Sequence, residues 1–341
     1  MLPLHVLIIM KVEINCNKEY TTHLRAIKVI IRLEVRAVIL SVDLNPILKK
    51  KYLFDEFGKI NYVKDSSSLP GGEGIELAYL LKGLNIQVGL SGFLGGLNGA
   101  YIQKILTESS IDNDYATIKD ENAEFLIFST KDEDIIIKGK APKVTREEMG
   151  GFLEKYNRLL ESSSLICCSG DQYGNTPSEI YYDIVANANL LSKKVMIFLK
   201  GENLKYGLEA SPYLVLLEKD DLENLTNLNL EYEYEIIKAG IYLMEKRVKI
   251  AVITMGDCNS IVLTPENVYR VSVKDVEKEA RLNYGYMLAG FAFALDRGYE
   301  FELMLKLGQA CGMINYFEYD FLDMSHIKRI MGKTNVDKFN Y

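Results

Sequence analysis

The feature that most constrains the fold of this chain is the glycine-rich stretch Pro70–Gly99, PGGEGIELAYLLKGLNIQVGLSGFLGGLNG. Three glycines lie within residues 70–74 and predict a tight turn. The apolar run that follows them has no helix breaker before Gly83 and predicts a helix. The alternating apolar residues over 86–90 then predict a strand. Glycine permits close approach of the backbone, and the free N–H groups at a helix start bind anions. We therefore expect either an anion site here or an ordinary turn between packed elements.

Helices and apolar strands alternate along the C-terminal half of the chain. The pattern predicts helices over 146–162, 178–190, 220–227 and 232–246, and strands over 165–168, 195–199, 213–217 and 250–254. Short apolar strands joined through helices are typical of a mostly parallel sheet that is covered by helices on both faces. No linker rich in proline, glycine or serine divides residues 37–330, so one α/β domain is expected there.

The composition limits the possible partners. The chain has 341 residues, 48% of them apolar, and a formal net charge of −7, which argues against nucleic acid and anionic membranes as partners. Five cysteines without metal-ligand spacing and only three histidines predict no metal site built from these residues. No apolar run reaches the roughly 20 residues that a membrane-spanning helix needs, and no signal peptide is recognised. We expect a cytoplasmic protein.

A second apolar stretch, RLNYGYMLAGFAFALDRG over residues 281–298, predicts a helix that is buried on all sides over 287–295. Another helix is predicted over 302–312. Near the start of the domain, AVILSVDLNP predicts a strand that ends in the polar turn Asp43–Pro46. In open α/β sheets ligands bind at the carboxyl ends of strands, so this turn is a candidate substrate loop.

These stretches together resemble the PfkB carbohydrate kinases, closest to the branch of 1-phosphofructokinase and tagatose-6-phosphate kinase. The resemblance rests on PGGEG at 70–74, DLNP at 43–46, Ala289-Gly290-Phe291 and Ala310-Cys311-Gly312. It implies a ribokinase-like, doubly wound, mostly parallel sheet with helices on both faces, and a small β-sheet lid. We assign residues 37–330 to this domain, residues 1–36 to an N-terminal extension of unknown role, and residues 331–341 to a C-terminal tail.

Two segments, 47–68 and 112–141, alternate apolar and charged residues without helical spacing. By the resemblance they form the lid, which in this family covers the sugar and supplies a dimer face. A homodimer through the lid is therefore expected. The alternative is an ordinary hairpin at the edge of the sheet.

The chemistry that the resemblance implies is transfer of the γ-phosphoryl group of Mg·ATP to a sugar hydroxyl. It needs a carboxylate base and N–H groups that stabilise the transferred charge. The family supplies both with Gly-Ala-Gly-Asp at the start of the buried helix. Counted back from Ala289, these positions are Leu282, Asn283, Tyr284 and Gly285 here. The base position thus carries no titratable group, and bulky side chains replace bare backbone.

Other contact positions of the family also differ. The Lys and Asn of its pattern Gly-Gly-Lys-Gly-x-Asn are Glu73 and Glu76 here, and the Asp of Asn-Pro-x-x-Asp is Lys49. Two carboxylates would repel a phosphorylated sugar, and no Arg stands in 112–141 to bind its phosphate. An ion pair of Lys49 with Glu73 would fill the sugar site, unless both are solvated surface charges. The candidate substrate-pocket positions are Asp43, Asn45, Lys49, Gly71, Gly72, Glu73 and Glu76.

The nucleotide loop of the family is partly retained. Its Ser-Leu-Gly-x-x-Gly pattern corresponds to residues 254–259, with the last glycine lost, and its Lys-Pro-Asn motif to Leu216-Leu217-Glu218. The candidate nucleotide-binding residues are Thr254, Gly256 and Asn259. A relocated base would have to come from Asp257, Asp275, Glu277 or Glu279.

The sequence leaves three functions open. The first is a PfkB homologue that has lost sugar phosphorylation and acts as a binding or regulatory protein, with a small sugar-like ligand. The second is an active kinase of a hexose or hexose phosphate with a relocated base, which would use Mg²⁺ and ATP. The third is a binder of nucleosides or small metabolites through the nucleotide half alone.

Overall fold

The computed structural model describes residues 38–170, 175–256, 258–275, 281–314 and 324–339. The predicted extension over 1–36 lies outside the described residues, as do Asp257, Glu277 and Glu279.

The strands of the described residues form two sheets. In chain order they are β1 (Val38–Asp43), β2 (Ile47–Leu53), β3 (Asp65–Gly71), β4 (Val88–Gly95), β5 (Asp112–Asn113), β6 (Ala116–Ile118), β7 (Glu124–Ser129), β8 (Asp134–Lys138), β9 (Ser163–Gly170), β10 (Lys194–Leu199), β11 (Leu214–Glu218), β12 (Ile250–Thr254), β13 (Ser260–Leu263), β14 (Val268–Val273) and β15 (Thr334–Phe339). The main sheet has the order β15-β14-β13-β12-β11-β10-β9-β1-β4-β5, and β6 also pairs with β4. The pairs from β12 to β5 are parallel, and those from β12 to β15 are antiparallel.

Helices pack on both faces of the main sheet, as the sequence predicts. They are α1 (Glu73–Gly83), α2 (Gly96–Glu108), α3 (Arg146–Ser162), α4 (Glu179–Leu190), α5 (Gly201–Glu209), α6 (Lys219–Thr226), α7 (Glu233–Glu245), α8 (Tyr284–Asp296), α9 (Phe301–Gly312) and α10 (Met324–Lys333). Among the described residues, no helix is long and apolar enough to cross a membrane.

The two hydrophobic cores follow from the alternation of side chains along buried strands. Ile39 and Cys167 belong to the core beneath α1, α2, α8, α9 and α10, whereas their neighbours Leu40 and Cys168 belong to the core beneath α3 to α7. A strand that is apolar at every position is thereby buried on both faces. The predicted parallel sheet with two helical layers is confirmed.

The second sheet is small and separate, with the order β3-β2-β7-β8. The pair β2–β7 is parallel, and the pairs β2–β3 and β7–β8 are antiparallel. The prediction of a small sheet built from both lid segments is confirmed.

Two boundaries predicted from the sequence are wrong. Residues 112–118 were assigned to the lid, but β5 and β6 pair with β4 of the main sheet. Residues 331–341 were assigned to a tail, yet Thr334–Phe339 pairs antiparallel with β14 as the edge strand β15. A short edge strand carries few apolar residues, so its sequence resembles that of an exposed tail.

Candidate active site

The candidate site lies at the carboxyl end of β1, where the order of the strands in the main sheet reverses. Strand β4 follows β1 on one side, and β9 later pairs with it on the other side. At such a switch point the loops diverge and leave a crevice at the carboxyl ends of the strands. Asp43, the last residue of β1, stands at this point and is 3% exposed.

The glycine-rich turn wraps around the carboxylate of Asp43. The backbone N–H of Gly74 donates a hydrogen bond to Asp43 Oδ2 at 3.2 Å, and that of Asn45 donates to Oδ1 at 3.2 Å. A Cβ at Gly72, whose φ is +128°, would collide with this carboxylate, and one at Gly74 would lie 2.6 Å from Asp43 Cβ. The predicted anion site at the start of α1 is therefore occupied by a carboxylate of the chain itself.

A cleft of about 180 Å³ lies between the small sheet and this edge of the main sheet. Its lining residues are Asp43, Asn45, Ile47, Lys49, Gly72, Glu73, Glu76, Phe125 and Lys138. Six of the seven candidate substrate-pocket positions are thus brought together. The seventh, Gly71, is not part of the lining; it packs against the side chain of Lys49 on the neighbouring strand.

One ion pair joins the small sheet to α1. Lys49 Nζ lies 2.6 Å from Glu76 Oε1, and Asn283 Nδ2 donates to Glu76 Oε2 at 2.8 Å. Lys49 and Glu73 both line the cleft, and the carboxylate that lies against Lys49 is that of Glu76. Residues three apart on a helix share a face, so either carboxylate could have been the partner from sequence spacing alone. The Lys49 and Glu76 side chains are 36% and 23% exposed, which limits the contribution of the pair to about 1 kcal/mol.

The start of α8, where the resemblance places the base and the anion hole, is closed by contacts within the chain. Asn283 is the N-cap, and its Oδ1 accepts a hydrogen bond from the backbone N–H of Tyr286 at 2.8 Å. The backbone N–H of Asn283 donates to the carbonyl of Gly312 at 2.8 Å. Leu282 is half-buried and packs against the core. Two backbone N–H groups of this segment are therefore already used within the protein.

Gly285, the predicted base position, is buried against α1. A Cβ at Gly285 would lie 2.5 Å from the carbonyl oxygen of Glu73 and 3.0 Å from its Cα. These atoms belong to the backbone and cannot rotate away. The predicted base position therefore has no carboxylate and no room for any side chain in this arrangement.

A second cluster of charges lies at the carboxyl ends of β10 and β11. Lys200 contacts the carboxylate of Glu218, and its Nζ lies 3.3 Å from Asp221 Oδ2. Burial lowers the pKa of Lys200, but the hydrogen bond to Glu218 and the two negative charges outweigh it and raise the pKa above its ordinary value. Burial raises the pKa of Glu218, but the hydrogen bonds from Lys200 and Tyr284 lower it more. For Asp221 burial dominates, and its pKa is raised.

Tyr284 completes this second cluster. Its ring stacks on Phe198 with a centroid distance of 4.5 Å, and its hydroxyl lies 3.4 Å from Thr254 Oγ1. Burial and the hydrogen bond with Glu218 hold the pKa of Tyr284 well above its ordinary value, so the hydroxyl stays protonated. The side chain at this predicted anion-hole position thus contacts β10, β11 and β12.

The candidate nucleotide residues lie in the loop after β12. Thr254 ends that strand, Gly256 has a φ of +66°, and the backbone N–H of Met255 donates to the carbonyl of Asn259 at 2.9 Å. The loop is anchored from α9, where Gln309 Nε2 donates to the carbonyl of Cys258 at 2.7 Å. Gly256 retains the left-handed conformation that favours glycine.

No cluster of metal ligands is found among the residues described at this edge. Lys200 is paired with both carboxylates of the second cluster, and the described part of the chain holds no group of three or more His, Cys, Asp or Glu suited to a metal ion. Of the proposed alternative bases, Asp275 lies 3.4 Å from Lys333 and is 78% exposed. Asp257, Glu277 and Glu279 lie outside the described residues.

Sequence reasoning missed Asn122, whose side chain joins the loop after β1 to strand β4. It is 1% exposed, and its Nδ2 donates to the carbonyls of Pro46 at 3.0 Å and Phe93 at 3.2 Å. Its Oδ1 accepts from the backbone N–H of Gly95 at 2.7 Å. Nothing in its sequence context marks it. Lys200 was also missed, although a lysine directly after a buried strand is a signal that could have been used.

The fold and the cleft define a doubly wound α/β protein with a crevice at the carboxyl edge of the sheet, beside a small second sheet. Residues 39–320 match the model of the pfkB family carbohydrate kinases, and the chain belongs to this family.

Two individual proteins illustrate the similarity, one of them in two solved structures. A 1-phosphofructokinase of Borreliella burgdorferi is 27% identical over 307 residues, which cover 88% of this chain and 98% of that protein. The phosphofructokinase-2 of Escherichia coli in complex with fructose-6-phosphate is 18% identical, with a TM-score of 0.78, covering 87% of this chain and 98% of that one. The tetrameric inhibited form of the same enzyme has a TM-score of 0.77 at 18% identity and the same coverage. At this identity the solved structures support the fold alone.

Proposed function

We propose that this chain has lost the phosphoryl transfer of its family and acts as a binding or regulatory protein on the retained fold. The proposal rests on the surroundings of Gly285. No carboxylate stands at this predicted base position, and the backbone of Glu73 occupies the space that a side chain would need. Loss of a general base alone costs about 10²–10⁴ in rate. Loss of the N–H groups that stabilise the transferred charge removes a further large electrostatic contribution.

The residues around the predicted nucleotide site, at the carboxyl ends of β10 and β11, support the same proposal. Tyr284 stacks on Phe198 where the family motif has glycine, and Lys200 is paired with Glu218 and Asp221. A nucleotide phosphate entering here would have to break these contacts. We expect Mg·ATP to bind with a Kd weaker than about 10 μM, which corresponds to about 7 kcal/mol.

The test is a coupled assay of wild-type protein with Mg·ATP and a panel of hexoses and hexose phosphates, together with calorimetric titration of Mg·ATP. Ordinary kinases turn over at about 1–100 s⁻¹, and we expect less than about 0.01 s⁻¹ here. The Borreliella burgdorferi relative, treated identically, is the positive control. Turnover of about 1 s⁻¹ or faster contradicts the proposal and would mean that a base lies elsewhere.

The alternative is an active ATP-dependent kinase of a hexose or hexose phosphate with a relocated base. The observation that favours it is the open cleft, which has the carboxylates of Asp43 and Glu73 in its wall. The same assay separates the two proposals, because only the alternative yields a phosphorylated product.

We also propose that the chain forms a homodimer through the small sheet. Strand β8 is an edge strand, and its residues Ile135, Ile136 and Ile137 are 45%, 55% and 51% exposed. An unpaired edge with exposed apolar residues is a surface on which a second copy can pair.

The homodimer predicts a mass near twice 38.7 kDa in light scattering. Ile136→Lys is expected to yield a monomer, because a charge would be buried at the interface. Leu190→Lys, a matched change at a residue of α4 that is 82% exposed, is expected to leave the mass unchanged. A wild-type monomer at about 50 μM would contradict the proposal.

A further inference from the structure

We propose that Lys49, Glu76 and Asn283 form a latch that ties the small sheet to the start of α8, so that release of the small sheet loosens the first turn of that helix. The three residues come from three separate elements: Lys49 lies on β2, Glu76 lies on α1, and Asn283 is the N-cap of α8. The latch is a conformational device that needs no ligand and no chemical reaction. It therefore stands or falls independently of the proposed loss of phosphoryl transfer.

The carboxylate of Glu76 is shared between the other two residues. Lys49 Nζ lies 2.6 Å from Glu76 Oε1, and Asn283 Nδ2 donates a hydrogen bond to Glu76 Oε2 at 2.8 Å. An ionised carboxylate only accepts hydrogen bonds, and each of its two oxygens is used here by a different element. The ammonium group of Lys49 thus holds the carboxylate in the orientation in which it also meets Asn283.

The path of the Lys49 side chain is defined by the neighbouring strand. A Cβ at Gly71 of β3 would collide with the methylene groups of Lys49, so the glycine leaves room for the side chain to lie across β3 and reach α1. Successive side chains of a strand point to opposite faces, and Lys50 lies 2.6 Å from Glu124 of β7. Lys49 therefore links two parts of the fold, whereas Lys50 links two strands of one sheet.

The small sheet is the part of the latch that can move. A Cβ at Gly285 would lie 2.5 Å from the carbonyl oxygen of Glu73, so α8 and α1 are in direct backbone contact. In β2 and β3 the buried residues lie at one end, at 47–48 and 70–71, and β8 is exposed over its whole length. A tilt of the small sheet about its buried end would draw Lys49 away from α1. The carboxylate that it held would then regain its rotamer freedom.

Asn283 passes this change to α8 because its amide group makes two contacts at once. Its Oδ1 accepts a hydrogen bond from the backbone N–H of Tyr286 at 2.8 Å, which caps the helix, while its Nδ2 donates to Glu76. When Glu76 turns away, the amide loses the contact that fixes its orientation, and the cap weakens. Loss of such a cap changes a local opening equilibrium by about fivefold. Tyr284 of the second cluster directly follows Asn283, so the latch also connects the small sheet to that cluster.

The latch is tested by hydrogen–deuterium exchange of the full chain, followed by mass spectrometry on peptides that cover the start of α8. Exchange reports the opening equilibrium of each segment. Lys49→Met should speed exchange at the start of α8 about threefold or more. Lys50→Met removes the neighbouring lysine of the same strand and is the matched control, with an expected change of less than about 1.5-fold.

Salt provides a test that needs no variant for its effect to appear. The side chains of Lys49 and Glu76 are 36% and 23% exposed, so salt screens their attraction. About 1 M NaCl should therefore speed exchange at the start of α8 in wild type and should have no such effect in Lys49→Met.

Asn283→Ser separates the latch from a general loss of stability. Serine caps helices as well as asparagine does, but it lacks the amide that reaches Glu76. In this background Lys49→Met should change exchange at the start of α8 by less than about 1.5-fold, because the connection is already broken.

The inference is overturned if Lys49→Met or salt leaves exchange at the start of α8 unchanged, if Lys50→Met has the same effect as Lys49→Met, or if Lys49→Met acts equally in the Asn283→Ser background. None of these measurements involves turnover. Formation of a phosphorylated product overturns the proposed function and leaves the latch untouched, whereas failure of the latch leaves the proposed function standing.

Discussion

Gly285→Asp is expected to leave the protein without turnover and to lower its free energy of unfolding by about 2–4 kcal/mol. The new Cβ would lie 2.5 Å from the carbonyl oxygen of Glu73, so α8 and α1 must separate before the carboxylate fits. The carboxylate would also face a carbonyl oxygen, which cannot donate a hydrogen bond to it. Urea unfolding measures the loss, and the coupled assay measures the turnover.

Two further glycine variants separate the steric cause of this destabilisation from the electrostatic one. Gly285→Ala adds the steric conflict without the charge and is expected to cost about 1–3 kcal/mol. Gly150→Ala, inside α3 where an added Cβ meets nothing within 4 Å, is expected to stabilise the protein by about 0.5–1 kcal/mol. If Gly285→Asp unfolds like wild type and gains turnover, then α1 yields to the side chain and the position is open after all.

Lys200→Met is expected to lower the free energy of unfolding by about 2–4 kcal/mol near neutral pH. The side chains of Lys200 and Asp221 are only 20% and 6% exposed, so removal of the cation leaves two carboxylates partly buried beside each other. Lys205 lies on α5, the helix whose N-cap is Lys200, and its side chain is 53% exposed, so Lys205→Met should change the stability by no more than about 0.5 kcal/mol.

The decrease in the free energy of unfolding caused by Lys200→Met should be large near neutral pH and should disappear at low pH. Without the cation, the folded-state pKa values of Glu218 and Asp221 rise above the unfolded value, which adds to the rise that burial already causes at Asp221. A carboxyl with a raised folded pKa destabilises the protein above that pKa, and the cost disappears below the unfolded value near 4. Equal stability of variant and wild type at pH 7 would contradict a structural role for this ion pair.

The helices and strands of this fold were predictable because each is indicated by residues that are close together in the sequence. The run of apolar residues over 287–295 predicts a buried helix, and α8 spans Tyr284–Asp296. The three glycines at 70–74 predict a turn before a helix, and α1 begins at Glu73. The edge strand β15 and the pairing of β5 and β6 were missed, since short strands carry too few apolar residues to form a pattern.

The sequence by itself determined the alternation of strands and helices, the glycine-rich turn, and the absence of a carboxylate at position 285. Only the tertiary structure decided what surrounds these residues. The hydrogen bond from Asn283 to Glu76 spans 207 positions in the chain, and Lys49 finds Glu76 rather than Glu73 only after β2 and α1 have packed. Whether position 285 has room for a side chain depended on the approach of α8 to the backbone of Glu73. Such contacts depend on the relative positions of packed elements, which local patterns of hydrophobicity and propensity do not encode.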